Sequence, residues 1–399
     1  MSRVVAVLVT TAVLSVLAVG SPTTAQAHPR MSLTSGAPCS TCHINKAGGE
    51  MRTEIGWGSM LYAALFDFED LGIDFLADMY SNEVIEERLA IGWDIRVQMA
   101  RLGRPLADDG EAVAPPRRVF PMQLQPHAAL EITEWLKMHG SYAVNPGTFE
   151  GTCDPVFAGQ SCYVAQAIID PSPTLPSFRV GDFQPTFGLR HDDHTMLIRH
   201  DASLGRAMIP VGYGELGAEV SYQPRYWVKA EAGGFWARRL ADSLAAPDVV
   251  NRNDVAYAGR LTFMPRFDVG PVGMFGLIGG STYGAGSFRM DNGFLGLGVL
   301  DHGSVIFELA HFTHGSEADH RGLNLAMLLS YDVREWLVAM GRLERGVADV
   351  GGVRSQTEAA SVGLAFFPIP FVKILPEYRL VRTDDYAMGQ YTAQLHLFF

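Results

Sequence analysis

The stretch Leu89-Ala90-Ile91-Gly92-Trp93-Asp94-Ile95-Arg96-Val97-Gln98-Met99-Ala100 decides the fold. Leu89, Ile91, Trp93, Ile95, Val97 and Met99 alternate with small or polar residues. That period of two gives a strand with one apolar face and one polar face. The same alternation returns in Leu216, Ala218, Val220 and Tyr222, and again in Leu323, Leu325, Met327, Leu329 and Tyr331. Segments of about ten such residues are long enough to cross a bilayer as tilted strands. On this pattern Asp94 and Arg96 point into a polar lumen.

Turn signals divide the rest of the chain in the same rhythm. Short turns are expected at Thr133-Glu134-Trp135, Gln223 to Tyr226, Asp301-His302-Gly303, Asp332 to Glu335 and Pro368-Ile369-Pro370. Longer polar loops are expected near 103–117, 145–161, 190–213, 238–252 and 347–356. Short periplasmic turns against longer outer loops mark a bacterial barrel. Trp135, Trp227 and Trp336 sit at the short ends, where an interfacial aromatic belt belongs. The last segment, Tyr391 to Phe399, alternates toward a terminal Phe, as barrel insertion signals do. The expected fold class is therefore all-β, a roughly 16-stranded antiparallel transmembrane β-barrel over 89–399, with both ends on the periplasmic side.

The chain opens differently. Ser2-Arg3, the apolar run Val4 to Val19 and Ala25-Gln26-Ala27 read as a signal peptide over 1–27 with cleavage before His28. The run is too short for a comfortable membrane span. Export then leads to Cys39-Ser40-Thr41-Cys42-His43, the C-x-x-C-H pattern of covalent haem c attachment. Two thiols three positions apart can bond the two vinyl groups of one haem, and His43 can reach the iron. A redox dithiol or half a zinc site are the competing readings. A zinc site needs further ligands in a chain with four cysteines, and a dithiol is expected in a strand–helix unit that is missing here.

Residues 28–88 thus read as a small monohaem segment that can sit in the lumen as a plug, followed by a far larger barrel. Met51, Met60, Met79 or His127, and also His139, are candidates for a sixth iron ligand, and no spacing rule selects among them. One or two short helices are expected over Leu61 to Met79. Trp57, Tyr62, Phe66 and Phe68 are candidates to pack the haem or an ordinary small core.

Composition bounds the partners. The net charge of −12, or −13 without the signal, argues against nucleic acid and anionic lipid. Cys153 and Cys162 share an expected outer loop in an oxidising compartment, so a disulfide is expected there, contributing about 2–3 kcal/mol in the chain-entropy model. His191-Asp192-Asp193-His194 is either a divalent-metal loop or a solvated polar one. No acid–base or nucleophilic constellation is visible, so any redox activity belongs to the haem.

Signal peptide, one C-x-x-C-H near the mature start and a barrel beyond it together resemble the fused monohaem cytochrome-porins of bacterial outer membranes, which include iron oxidases. Cys39, Cys42 and His43 carry the resemblance, while Gly48-Gly49-Glu50-Met51-Arg52 departs from it. Phe178 to Thr195, with its Gly-x-Phe-x-Pro-x-Phe-Gly core, also resembles a strand and loop of oligophosphate-selective-type porins. The resemblance implies one covalent haem c and localisation in the cell outer membrane. It further implies electron transfer between an extracellular metal such as Fe(II), or another redox partner, and a periplasmic c-type cytochrome. The alternatives are a diffusion porin with an appended periplasmic cytochrome, or the porin component of a larger multihaem conduit.

Overall fold

The computed structural model describes residues 29–45, 48–49, 51–73, 83–85, 88–102, 118–144, 161–172, 174–191, 193, 195–210, 212–315 and 320–398. The expected signal peptide, Met79, Cys153 and Phe399 lie outside them. Sixteen strands form the wall: β1 Leu89–Leu102, β2 Arg118–Thr133, β3 Leu136–Tyr142, β4 Tyr163–Ile169, β5 Ser177–Phe183, β6 Glu215–Arg225, β7 Val228–Trp236 and β8 Val255–Phe263. They continue as β9 Val272–Ala285, β10 Phe288–Val299, β11 Gly303–His314, β12 His320–Arg334, β13 Leu337–Val350, β14 Val353–Phe366, β15 Val372–Thr383 and β16 Ala387–Phe398. Each strand pairs antiparallel with its neighbour in sequence, and β1 pairs with β16 from Asp94↔Phe398 to Leu102↔Gln390. The sheet is closed, with no free edge left to satisfy in lipid.

Alternation sets the two faces. Ile91, Trp93 and Met99 of β1 point outward and are exposed, while Arg96 between them is buried inside. Leu295 and Leu297 of β10 and Leu323 and Leu325 of β12 continue the exposed apolar exterior around the barrel. Such a band is what a lipid-facing wall requires. Asp94 and Arg96 do face the lumen, where Arg96 lies 3.0 Å from Asp94, and His396 of β16 lies 2.9 Å from the same carboxylate.

The expected turns at 133–135, 223–226, 301–303, 332–335 and 368–370 fall at one end of the barrel. The expected outer loops divide. Where a long loop was expected over 347–356, β13 and β14 run on to Val350 and Val353 and meet in a two-residue turn, Gly351-Gly352, both at positive φ. Gly-Gly at such positions is the type I′ signature, and it lets a charged hairpin close tightly where polarity alone reads as loop. The expected outer loop at 190–213 is also corrected. The described residues of 184–214 fold inward, because the apolar Phe187, Leu189, Met196, Leu197 and Ile198 have a place to bury there.

The lumen holds a second guest. The described residues of 29–61 lie inside the end with the short turns, as α1 Pro29–Ser35, α2 Cys39–Cys42 and α3 Glu54–Leu61. Leu33 of α1 is fully buried among Phe275, Leu277, Phe294 and Ile306 of the inner wall. Gly296 and Gly298 make this approach possible, since a Cβ on Gly298 would sit 2.2 Å from the Leu33 carbonyl oxygen. The only helix over Leu61–Met79 among the described residues is the tail of α3, which starts at Glu54. Thr53 caps it, its hydroxyl accepting from Gly56 N at 3.2 Å while donating to Thr41 O at 2.7 Å. Tyr62 and Phe66, expected to pack, are 70% and 47% exposed. They follow the helix, where the chain turns back toward the rim.

Candidate functional site

The site is built from the segment around Cys39. Cys39 and Cys42 form one helical turn with both thiols free, and Cys42 is buried. His43 follows in extended conformation, its N–H donating to Cys39 O at 3.0 Å, and it is 3% exposed. A β-bridge joins His43 to Arg52, bringing Met51 back beside the motif, with Ile44 N donating to Met51 O at 3.1 Å. The return is made by Gly48 and Gly49, both at positive φ, and Gly48 packs against Cys39 so closely that a Cβ there would sit 3.4 Å from its Sγ. Burial pushes the Cys42 thiol above its ordinary range; nearby Cys39 adds to the rise and Arg52 opposes it.

Wall strands and the inward loop together fasten this segment. Arg179 of β5 donates to Asn45 Oδ1 at 2.8 Å, and its other nitrogen meets Glu219 of β6. Arg190 of the inward loop donates to Gly48 O at 3.1 Å. Below, Trp57 and Met60 of α3 are buried with Phe371 and Phe398 at the rim, Trp57 and Phe371 ring to ring at 4.9 Å. Arg52 stacks over Phe398 at 4.6 Å. Trp57 and Phe68 are thus core aromatics of the segment, as expected. Trp336 packs beside them, while Trp135 and Trp227 are exposed at the same end.

The donor set fits a haem c: two free thiols on one turn, an adjacent buried imidazole, and the buried thioethers of Met51 and Met60 in the same segment. Cys39, Cys42 and His43 would hold it. His127 and His139 lie on wall strands β2 and β3, their rings stacked on each other at 6.0 Å. Met79 lies outside the described residues. Cys162 is disulfide-bonded, and its expected partner Cys153 lies outside the described residues.

The inward loop is clamped by three buried wall carboxylates, whose strand alternation is legible in sequence but whose loop partners are not. Glu219 accepts from Thr186 N at 3.0 Å, Glu308 from Leu189 N at 3.0 Å, and Glu344 from Leu197 N at 2.6 Å. Each satisfies a loop amide that would otherwise be buried without a partner. His191 and Asp193 do not converge on a metal: His191 meets Glu308 at 2.7 Å, and Asp193 meets Arg342. Asp192 and His194 lie outside the described residues. Burial alone would raise the Asp193 carboxyl, but Arg342 and the hydrogen bonds from Thr195 hold it well below the usual carboxylate range.

What remains open between loop and wall is a cavity of about 250 Å³. Arg96, Arg342, Lys373 and Arg379 line it with Asp193 and Glu377, and Glu344 and Asp94 behind the lining pair with Arg342 and Arg96 at 3.0 Å each.

This architecture is that of bacterial outer-membrane porins. OprB of Pseudomonas putida superposes with a TM-score of 0.53 at 10% identity, over 84% of this chain and 98% of that one. A loop L8 deletion mutant of OmpT, an outer membrane protein of Vibrio cholerae, gives 0.52 at 8% identity over 78% and 99%. An anion-selective porin from Comamonas acidovorans gives 0.51 at 10% identity over 78% and 99%. At these identities the likeness is one of fold. No protein-family model and no curated protein matches the chain.

Proposed function

We propose that the chain is an outer-membrane, porin-type barrel that carries one covalent haem c in its lumen segment and passes electrons across the membrane. The supporting observation is the docking of Cys39–His43 inside the barrel, held by Arg179 through Asn45 and by Arg190 through Gly48. A haem at Cys39, Cys42 and His43 supplies one-electron redox chemistry. The chain's own residues bury the ligand histidine, enclose the turn and set the charge around it. Lys229, Glu231 and Arg260 form a buried group on the neighbouring wall, with Glu231 within 2.9 Å of Lys229 and 2.7 Å of Arg260. An extracellular metal such as Fe(II), or another redox partner, would face the loop end, and a periplasmic c-type cytochrome the plugged end.

The test is a liposome holding a trapped redox dye, with Fe(II) added outside and the dye and Soret band followed together. Both should respond in the full chain and neither in Cys42→Ala. A haem that stays oxidised while small solutes leak freely would overturn the reading.

A second reading, diffusion porin, draws on the cavity lined by Arg96, Arg342, Lys373 and Arg379 and is the one that the porin likenesses support more directly. It predicts a reversal potential biased toward anions that weakens on Arg379→Gln. In that case the haem segment serves to dock redox partners below the pore, or the barrel serves a larger multihaem assembly.

A further inference from the structure

At the loop end of the barrel two histidines face each other across a hairpin. His314 closes β11 and His320 opens β12, directly opposite in the ladder, and their rings stack at 4.3 Å. The inward loop brings Asp201, fully buried, to 2.8 Å from His320 Nε2. One ligand-type atom from each of the three residues lies within 4.8 Å of the others. Ser203 fixes the carboxylate from behind, its N–H donating to Asp201 Oδ1 at 2.9 Å and its hydroxyl at 2.6 Å. Phe288 and Phe312 stand edge-on to His314 at 5.3 and 5.6 Å.

The second observation is His314 itself. It is only 5% exposed, and its Nε2 has no hydrogen-bond partner among the described residues. A buried imidazole nitrogen without a partner is unfavourable in the metal-free chain. We propose that His314, His320 and Asp201 bind a divalent first-row transition ion of the zinc or ferrous class, which clamps the inward loop to the β11–β12 hairpin. Two imidazoles and one carboxylate are the donors such ions prefer. Ligand bonds of about 2.1 Å place neighbouring ligand atoms roughly 3.4 Å apart, so the cluster closes by no more than about 1.5 Å on binding. Ion binding replaces the His320–Asp201 contact and gives His314 a partner.

Zinc is the probe. The full chain in detergent, free of any affinity tag, is dialysed against Zn(II) and metal is counted per chain, with heat-modified gel mobility confirming that each variant is folded. Wild type should hold one zinc more than His314→Gln or Asp201→Asn, with affinity at this site falling about 100-fold or more in either variant. Equal zinc content in wild type and both variants would overturn the proposal.

Discussion

The wall and the contents of its lumen are held together by different physics. Wall strands are joined by backbone ladders between neighbours in sequence, such as Met327↔Leu343 and Leu297↔Val305. The lumen segment and the inward loop are held by side chains reaching far along the chain: Arg179 to Asn45 spans 134 residues, and Glu344 to Leu197 spans 147. Local, periodic contacts make the wall robust to any one substitution. The contents rest on a few buried charges, so single changes there should be felt.

The sharpest separation of the two regions is Cys42→Ala. On the proposed haem attachment, covalent haem should be lost, read as loss of the Soret band in denatured protein, while heat-modified gel mobility shows an intact barrel. If the barrel also fails, the wall depends on its contents and the comparison breaks.

Next in size is Arg179→Ala, which removes an anchor of the lumen segment and leaves Glu219 buried without its cation. Breaking such a pair costs about 3–5 kcal/mol. The loss should appear as a lower denaturation midpoint together with faster proteolysis of residues 29–73. Arg345→Ala, with its exposed guanidinium 3.9 Å from Glu358 on the outer surface, should cost no more than about 1 kcal/mol by the same measurement.

A smaller effect tests the loop clamp by pH. The folded Asp193 carboxyl lies below its unfolded value, so its contribution is full above about pH 4 and is lost as the pH falls toward the folded value. The stability difference between wild type and Asp193→Asn should stay constant from pH 7 to about pH 4 and shrink only below that. A difference that vanishes near neutral pH would contradict the clamp.

The same division explains what the sequence discloses. Leu89 to Ala100 shows its two faces because strand period is local, and sixteen strands follow from that rhythm. The C-x-x-C-H turn is legible because thiol spacing is fixed by the chemistry it suits. The loop over 184–214 is not legible, since its composition is that of an outer loop and its inward path depends on Glu219, Glu308 and Glu344, which in sequence are ordinary polar positions of strands. Gly351-Gly352 misleads in the opposite sense, as flanking charges make a tight turn look like a longer loop. Tyr62 and Phe66 look like packing residues by type, and only the end of α3 at Leu61 leaves them outside.

The central claim is that the haem-motif segment sits inside the lumen, and single-channel conductance tests it most directly. Full-length protein in a planar bilayer should conduct well below an open sixteen-stranded porin of this size. Gly298→Leu, which drives a side chain into α1 at Leu33, should raise conductance toward the open value while leaving the barrel folded. A wild-type chain that conducts like an open porin, with Gly298→Leu unchanged from it, would contradict the account.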